Sequence, residues 1–254
     1  MSSAVTRIIV SGAAGRMGAR VCALAHGDAS FALVGALESP ASPALGRAAC
    51  APAQGANGPE ISGSDADLAP GSADVVIDFS SGAGALRAAA LAPRIGAALL
   101  VGTTGLGAGD LEEIRRAGAR VAVLVAPNTS LGVAAVSALV ARAAALLGPE
   151  YACSIVEAHH SAKIDAPSGT ALRLAEAARG ARPPHGADQV VSIRGGDVIG
   201  EHTVRFAGPG EYLEITHRAT SRDLFARGAL RAAQWLRGRA AGVYTMEDVL
   251  GIHA

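Results

Sequence analysis

The chain has 254 residues and a formal net charge of +0 at pH 7, which is enough length for two modest domains with cores of their own. Because there is no net positive charge, the composition argues against nucleic acid or an anionic membrane as a partner. The three cysteines, Cys22, Cys50 and Cys153, are far apart, odd in number and include no C-x-x-C pair. This argues against a disulfide framework and a zinc knuckle and favours a cytoplasmic location.

The first half of the chain alternates between strand and helix patterns. Strands are predicted near residues 7–10, 31–37, 74–79, 97–101 and 120–125, and helices near 15–26, 83–92 and 109–118. Such alternation is typical of a parallel sheet with helices on both faces. The interval 39–71 is rich in Pro, Gly, Ala and Ser and is predicted to be surface loop. The fold class predicted for this half is α/β, with a Rossmann-type doubly wound sheet.

A glycine-rich turn follows the first predicted strand. Residues 12–18 read G-A-A-G-R-M-G, and glycines at this point let the backbone approach a pyrophosphate at the start of the next helix. Glu38 lies 20 positions beyond Gly18 (38 minus 18), where a ribose-binding carboxylate is expected. We therefore predict a dinucleotide site that includes Gly12, Ala13, Ala14, Gly15, Arg16, Met17 and Glu38.

Three later loops also follow predicted strands. They are residues 78–80, 102–105 and 126–129, and in a parallel sheet such loops meet at one edge and contact the ligand. Nicotinamide contacts are predicted at Gly102, Thr103, Thr104, Ala126, Pro127, Asn128 and Thr129. Ser39 and Pro40 follow Glu38 where a basic residue would hold a 2′-phosphate, so the residues favour NADH and leave NADPH open.

The pattern changes after Asn128. A long helix near 130–147 is interrupted by Arg142 and is too short to span a bilayer. A strand near 152–157, a helix near 169–179 and strands near 189–194, 197–206 and 211–218 follow, with a tight hairpin predicted at Gly195-Gly196 and another turn at 207–210. These elements predict a second, α+β domain with a mixed or antiparallel sheet. A last helix near 222–237 and a capping box at 245–248 are expected to rejoin the first domain.

The segment 157–170 carries the densest chemistry in the chain. It reads E-A-H-H-S-A-K-I-D-A-P-S-G-T, so His159 and His160 follow a buried strand and Lys163 adds a cation. Ser168, Gly169 and Thr170 open the next helix, whose N-terminus favours an anion. We expect proton donors beside an anionic ligand here.

Other interpretations remain open from the residues alone. An amino-acid or aldehyde dehydrogenase would need a cysteine nucleophile or a different base, and Cys153 alternates as a packing residue. A non-catalytic dinucleotide-binding module would not need Lys163 beside the histidines. A metal on His159, His160, His202 and His217 lacks carboxylate or cysteine partners at ligand spacing, so no metal is predicted.

The motifs together resemble one enzyme family over nearly the whole chain. Besides the glycine turn and the histidine segment, they are V-G-T-T-G at 101–105, R-G-G-D-V-I-G-E-H-T at 194–203 and L-E-I-T-H-R-A-T-S-R at 213–222. The sequence is similar to the 4-hydroxy-tetrahydrodipicolinate reductase (dihydrodipicolinate reductase) family of the diaminopimelate route to lysine.

The resemblance implies two domains with different roles. Residues 1–128 and 223–254 would form the dinucleotide-binding domain, and 129–222 a substrate domain that assembles a homotetramer. The reaction implied is reduction of a small cyclic dicarboxylate by NADH or NADPH, in the cytoplasm and without a metal. His159 would donate and accept a proton and Lys163 would donate one, while His160, Lys163, Ser168, Gly169 and Thr170 would hold the substrate.

Overall fold

The structure, a computed structural model, describes residues 4–50, 58–180 and 189–252. The chain divides into two compact units. The first unit is Met1–Thr129 with Phe225–Gly251, and the second is Ser130–Leu224 with Ile252–Ala254. Each unit has its own sheet.

The first unit contains a seven-stranded sheet and most of the helices. Its strands are β1 (Thr6–Ser11), β2 (Phe31–Leu37), β3 (Ile61–Ser62), β4 (Val75–Asp78), β5 (Ala98–Val101), β6 (Ala122–Val125) and β11 (Gly242–Tyr244). Its helices are α1 (Arg16–His26), α2 (Gly82–Ile95), α3 (Ala108–Arg116), a short 3-10 helix (Ala117–Ala119), α6 (Asp223–Leu236, whose first two residues count with the second unit) and α7 (Met246–Val249).

Every pair of neighbouring strands in this sheet is parallel, in the order β11-β6-β5-β4-β1-β2-β3. β4 and β5 are buried at every position, as expected for strands covered on both faces. The Rossmann-type prediction is confirmed. The predicted loop 39–71 is corrected at Ile61–Ser62, where buried Ile61 pairs with Ala36. A two-residue strand is too short to show a period in the sequence.

The second unit packs two helices on a four-stranded mixed sheet. Its elements are α4 (Leu131–Leu147), β7 (Ala152–His159), α5 (Gly169–Gly180), β8 (Gln189–Arg194), β9 (Glu201–Gly208) and β10 (Glu211–Arg218). The sheet order is β10-β9-β7-β8. Its core gathers residues such as Val140, Ile155, Leu174, Val204 and Phe206.

The predicted hairpin at Gly195-Gly196 is wrong. β7 lies between β8 and β9, pairing parallel with the first and antiparallel with the second. The glycines turn towards the end of β7 instead, because Gly195 N–H donates to His159 O at 3.0 Å and Ser161 N–H donates to Gly196 O at 3.1 Å. The other predicted turn is confirmed, since β9 and β10 pair from Gly208 and Glu211.

Within the described residues, no helix combines the length and hydropathy that a bilayer crossing requires.

Candidate active site

The carboxyl ends of the parallel strands bring the predicted nucleotide residues to one edge of the first unit. β1, β2, β4, β5 and β6 all point the same way, so the loops that follow them share that edge. The chain builds outwards from β1 on one side and from β4 on the other. A sheet of this order opens a crevice where the direction reverses, which is the usual position of a nucleotide.

The glycine turn is shaped by close backbone contacts. Gly12 has φ of +76°, and a Cβ there would lie 2.4 Å from Phe79 O. A Cβ on Gly18 would lie 2.0 Å from Gly12 O. No side chain fits at either position. The turn therefore brings the N-terminus of α1, capped by Gly15, to the end of β1, where its amides are suited to an anion.

Glu38 closes the other side of this turn. Its Oε1 accepts from Ala14 N–H at 2.9 Å and its Oε2 accepts from Ser39 N–H at 3.1 Å. A cavity of about 410 Å³ lies here, and Gly12, Gly15 and Glu38 are in its wall. A glycine turn, a helix N-terminus and a carboxylate around one cavity fit the pyrophosphate and ribose of a dinucleotide.

Arg16 is exposed at the start of α1, with Ala14 exposed and Ala13 buried beside it.

Arg87 on α2 is a cation in the same cavity wall that sequence reasoning missed. Its guanidinium donates to Glu38 O at 3.3 Å and to Gly63 O at 3.2 Å. In the sequence it is one arginine in an alanine-rich helix, 49 residues from Glu38. Only the tertiary fold places it beside the end of β2.

Buried Asp78 joins two of the predicted loops. Ser80 Oγ and Thr103 Oγ1 both donate to its carboxylate, the latter at 2.5 Å, and Ser80 N–H donates to Thr103 Oγ1 at 2.8 Å. Burial raises the pKa of Asp78, against these hydrogen bonds. A Cβ on Gly102 would lie 2.1 Å from the Phe79 ring, so the two loops are also packed together. Thr104 is exposed beside them.

The third loop is anchored at both ends. Ala126 N–H donates to Val101 O at 2.8 Å, and Thr129 Oγ1 donates to Phe225 O at 2.7 Å. Thr129 is buried, whereas Pro127 is exposed and Asn128 half-buried. The Thr129 side chain thus has a structural hydrogen bond, and the accessible part of this loop is Pro127 and Asn128.

In the second unit, His159 ends β7 with one ring nitrogen held by a carboxylate. Its Nδ1 lies 2.5 Å from Oε2 of Glu157, which has no exposed surface. Within the described residues no hydrogen bond is made to Nε2 of His159, and a Cβ on Gly200 would lie 3.1 Å from that atom. Burial lowers the pKa of His159, and Glu157 opposes this.

Arg194 on β8 neutralises Glu157 with two hydrogen bonds of 2.8 Å, one to each carboxylate oxygen. Despite the cost of burial, the guanidinium and the other donors around it lower the pKa of Glu157 to about 2. Glu157 is therefore ionised at neutral pH. Sequence reasoning named both residues only as parts of motifs, because a pairing across two parallel strands has no local signature.

Lys163 and Asp165 lie on the loop that follows His159. Lys163 Nζ is 2.8 Å from Asp165 Oδ1, which lowers the pKa of Asp165. Arg194 also donates to Asp165 O at 2.6 Å. His160 is half-buried, and its backbone carbonyl accepts a hydrogen bond from the backbone N–H of Lys163 at 3.0 Å. The loop is thus folded on itself and fastened to β8.

The helix N-terminus that is predicted to favour an anion starts at Ser168. Its Oγ accepts from Ala171 N–H at 3.1 Å, which is the hydrogen bond of a helix N-cap. Gly169, which is exposed, and Thr170 form the first turn of α5, where a helix leaves amides unused by its own ladder. Ser168 N–H donates to Glu157 Oε1 at 3.2 Å, so the start of the helix is tied to the carboxylate that holds His159.

His202 on β9 completes the cluster as a buried ring. Its Nε2 is 3.1 Å from Ser168 Oγ, and its ring packs edge-on against His159 with centroids 5.1 Å apart. Burial and the neighbouring His159 lower the pKa of His202 to about 4, so it is neutral at pH 7. No group of three or more potential metal ligands occurs among the residues that the structure describes.

One sequence signal for this site was overlooked. Lys163 is the only lysine in the chain, and the other 21 of the 22 Lys and Arg residues are arginine. A guanidinium does not give up its proton in proteins, whereas an amine does. The one amine side chain in the sequence lies four residues beyond the histidine that ends β7.

Two sequence models of one family match almost end to end. They are "Dihydrodipicolinate reductase, N-terminus" over residues 6–129 and "Dihydrodipicolinate reductase, C-terminus" over residues 132–250. The chain belongs to the dihydrodipicolinate reductase family. This family consists of pyridine-nucleotide-dependent reductases of lysine and diaminopimelate biosynthesis.

Individual relatives agree with this assignment. A 4-hydroxy-tetrahydrodipicolinate reductase of Anaeromyxobacter dehalogenans (strain 2CP-C) is 44% identical, with 98% of each chain covered. One from Rhodopseudomonas palustris (strain BisA53) is 45% identical over 97% of each chain. Among solved structures, the dipicolinate-bound dihydrodipicolinate reductase of Paenisporosarcina sp. TG-14 has the same fold, with a TM-score of 0.75, 20% identity and coverage of 95% of this chain and 97% of that one.

The family decides between the interpretations left open by the residues. The relatives support a reductase and not an amino-acid or aldehyde dehydrogenase or a non-catalytic module. Cys153, the nucleophile that an aldehyde dehydrogenase would need, is buried in the core of the second unit, as its alternation predicted.

Proposed function

We propose that the protein reduces 4-hydroxy-tetrahydrodipicolinate to tetrahydrodipicolinate with NADH or NADPH. The observation that carries the proposal is the cluster in the second unit. His159, whose Nε2 makes no hydrogen bond in the part of the chain that the structure describes, the single amine side chain of Lys163 and the N-terminus of α5 all belong to one hydrogen-bonded network. The substrate is a dianion, and these are the groups that a dianion and a proton transfer require.

The nucleotide is assigned to the first unit. The pyrophosphate would be held by the glycine turn, which is Gly12, Ala13, Ala14, Gly15, Arg16 and Met17. The ribose would be held by Glu38. The nicotinamide would be lined by the later loops, at Gly102, Thr103, Thr104, Ala126, Pro127, Asn128 and Thr129. The support is the glycine turn at the end of β1 and the cavity beside Glu38. When bound, the reduced nicotinamide supplies a hydride to the substrate.

The substrate is assigned to the second unit. Its carboxylates would be held by Lys163 and by the amides of Gly169 and Thr170, with His160 and Ser168 alongside. A hydride replaces the ring hydroxyl, and a proton is needed for that hydroxyl to leave as water. His159 would hold this proton on Nε2, and Lys163 would replenish it, because an ammonium group can give up a proton.

Cofactor preference is open in the chain's own residues. Ser39 offers no cation beside Glu38, which favours NADH, but Arg87 places a guanidinium in the same cavity wall. Because guanidinium groups pair well with phosphate, Arg87 can substitute for a basic residue after Glu38. We therefore infer that both nucleotides are accepted.

We further propose a homotetramer in the cytoplasm. One face of the second unit's sheet exposes Val156, Val191 and Ile193 on two adjacent strands, and apolar patches of this kind favour association. None of the three cysteines, all of which lie in the described residues, forms a disulfide, which suits a reducing compartment. Light scattering of the purified protein tests the assembly, and a monomer would contradict it.

The activity is tested by nucleotide oxidation. Purified protein should consume NADH or NADPH only when the cyclic dicarboxylate is supplied, and dipicolinate, the ligand of the Paenisporosarcina protein, should inhibit in competition with it. If no oxidation occurs with either nucleotide, the proposed function is wrong.

A further inference from the structure

The Glu157–Arg194 pair contacts each of the three segments that carry the proposed substrate residues. The carboxylate binds Nδ1 of His159 and the N–H of Ser168. The guanidinium binds the carbonyl of Asp165, whose side chain pairs with Lys163. This ion pair, whose carboxylate is buried and whose guanidinium is half-buried, thus connects a histidine at the end of β7, the lysine loop and the start of α5.

We propose that Glu157 and Arg194 are positioning residues, which fix neutral His159 with its proton on Nδ1 and its basic nitrogen at Nε2, and which hold the Lys163 loop and the start of α5 in place. This inference goes one step beyond the proposed function and rests on it for the identity of the reaction.

The tautomer follows from the charge state of Glu157. An ionised carboxylate only accepts hydrogen bonds, so the Nδ1 that lies 2.5 Å from it must carry the proton. A neutral imidazole has a single N–H, so Nε2 is left as the basic nitrogen. This is the arrangement by which a carboxylate orients a histidine in other acid–base enzymes. His159 therefore takes up and releases protons at Nε2 alone.

The neighbouring charges do not alter this assignment. The groups that face His159 are Glu157 on its own strand, Arg194 on β8, His202 on β9 and Lys163 on the following loop. His202 is neutral at pH 7. Burial lowers the pKa of His159, Lys163 and Arg194 act in the same direction, and Glu157 raises it. Among these groups, the carboxylate is therefore the one that favours a proton on Nε2.

The same role accounts for the burial of Glu157. A buried carboxylate adds little to stability compared with apolar residues of the same size, yet Glu157 has no exposed surface and receives donors from His159, Ser168, Ser192 and Arg194. Such a group fixes geometry, because an ionised acceptor in a dry site holds its donors in place.

The tautomer is tested first on the unaltered protein. In a long-range ¹H–¹⁵N spectrum of histidine-labelled enzyme, with the His159 signals assigned by their loss in His159→Gln, neutral His159 should be the Nδ1–H form. A neutral Nε2–H form would overturn the proposal. This measurement needs no turnover, so it stands apart from any failure of the proposed reaction.

Turnover is then compared between Glu157→Gln and the matched control Glu176→Gln, which removes an exposed carboxylate from α5. Glu157→Gln should lower kcat about 100-fold, with a smaller change in KM and unchanged NADH affinity. Because the carboxylate raises the pKa of His159, its loss should also move the alkaline fall of kcat to lower pH.

A folded Glu157→Gln enzyme with the kcat and pH profile of the control would overturn the proposal. Glu157→Asp guards against a variant that does not fold, since it keeps a charge for Arg194 but shortens the reach to His159. It should show the same loss of kcat, and full activity in this variant would count against the proposal.

Discussion

Lys163 carries the only amine side chain in the sequence. Every other Lys or Arg position is an arginine, and none of these can release a proton. The Nζ of Lys163 lies 2.8 Å from Asp165 Oδ1, and the charge of Lys163 lowers the pKa of His159. An arginine at position 163 could still bind a carboxylate but could not supply a proton, so substitution at this position can distinguish the two roles.

Replacing Lys163 by alanine and by arginine separates the two roles. Lys163→Ala should lose most turnover, about 100-fold or more, while NADH still binds. Lys163→Arg keeps the charge and should restore KM without restoring kcat. Steady-state kinetics and nucleotide fluorescence titration measure these quantities, and near-normal kcat in Lys163→Ala would contradict the role.

We expect nucleotide choice to depend on Ser39, which follows β2, and on Arg87 of α2. Ser39→Arg should improve NADPH relative to NADH, because a second guanidinium can pair with the 2′-phosphate. Arg87→Ala should weaken NADPH by about tenfold and NADH by less, as expected for loss of one charged hydrogen bond.

Arg94→Ala is the control for this experiment. Arg94 lies on the same helix and also pairs with Asp65 and with backbone carbonyls, but it is not part of the cavity wall. Dissociation constants for both nucleotides decide the matter. Equal effects of Arg87→Ala and Arg94→Ala on the NADPH to NADH ratio would show that preference is set elsewhere.

At the scale of elements, the sequence predicts best what is local. The first five long strands, their helices and the glycine turn follow from apolar runs and glycine spacing, and the structure has them. The position of β7 between β8 and β9 could not be predicted, because parallel pairing of β7 with β8 is a long-range choice. The Glu157–Arg194 pair depends on that choice, so it was missed as well, although both residues lie in recognisable motifs.

β9 carries a prediction about acid stability through His202. This ring is buried with a pKa of about 4, whereas in the unfolded chain its pKa is about 6.5. Between these values the unfolded state binds more protons, so stability falls as pH drops from about 6.5 to about 4. Glu157, with a folded pKa of about 2, adds a further loss below about pH 4.5.

Urea unfolding of the protein across this pH range measures the effect. His202→Gln should flatten the fall between about pH 6.5 and 4 and leave the fall below about pH 4.5 in place. If the variant shows the same pH dependence as the parent, then His202 does not titrate as its burial implies.

At the scale of the whole molecule, the second unit is an insertion between two neighbouring strands of the first. β6 ends at Val125 and its partner β11 begins at Gly242. The chain leaves the first unit at Thr129 and re-enters it at Phe225, and Thr129 Oγ1 is only 2.7 Å from Phe225 O. The two points of exit and return are thus adjacent within the first unit.

This adjacency predicts that the first unit survives without the second. Replacing residues 130–224 by a short Gly-Ser linker should give a folded protein that still binds NADH, because α6 keeps its contacts, such as Gln234 Nε2 to Ser30 Oγ at 3.1 Å. Circular dichroism and nucleotide titration are the measurements. A chain that stays unfolded would contradict the independent folding of the first unit, and a chain that folds without binding NADH would contradict the assignment of the nucleotide to it.

The pairing of β11 with β6 has a consequence for how such an enzyme diversifies. A strand at the margin of a sheet needs one neighbour and tolerates a connection of almost any length, since each doubling of a loop costs only about 0.6 kcal/mol. The second unit can thus be exchanged in evolution, and the chemistry can change with it. The strands of the first unit keep all their pairing partners in such an exchange. Recombination between distant oxidoreductases should succeed most often with crossover points at these two junctions.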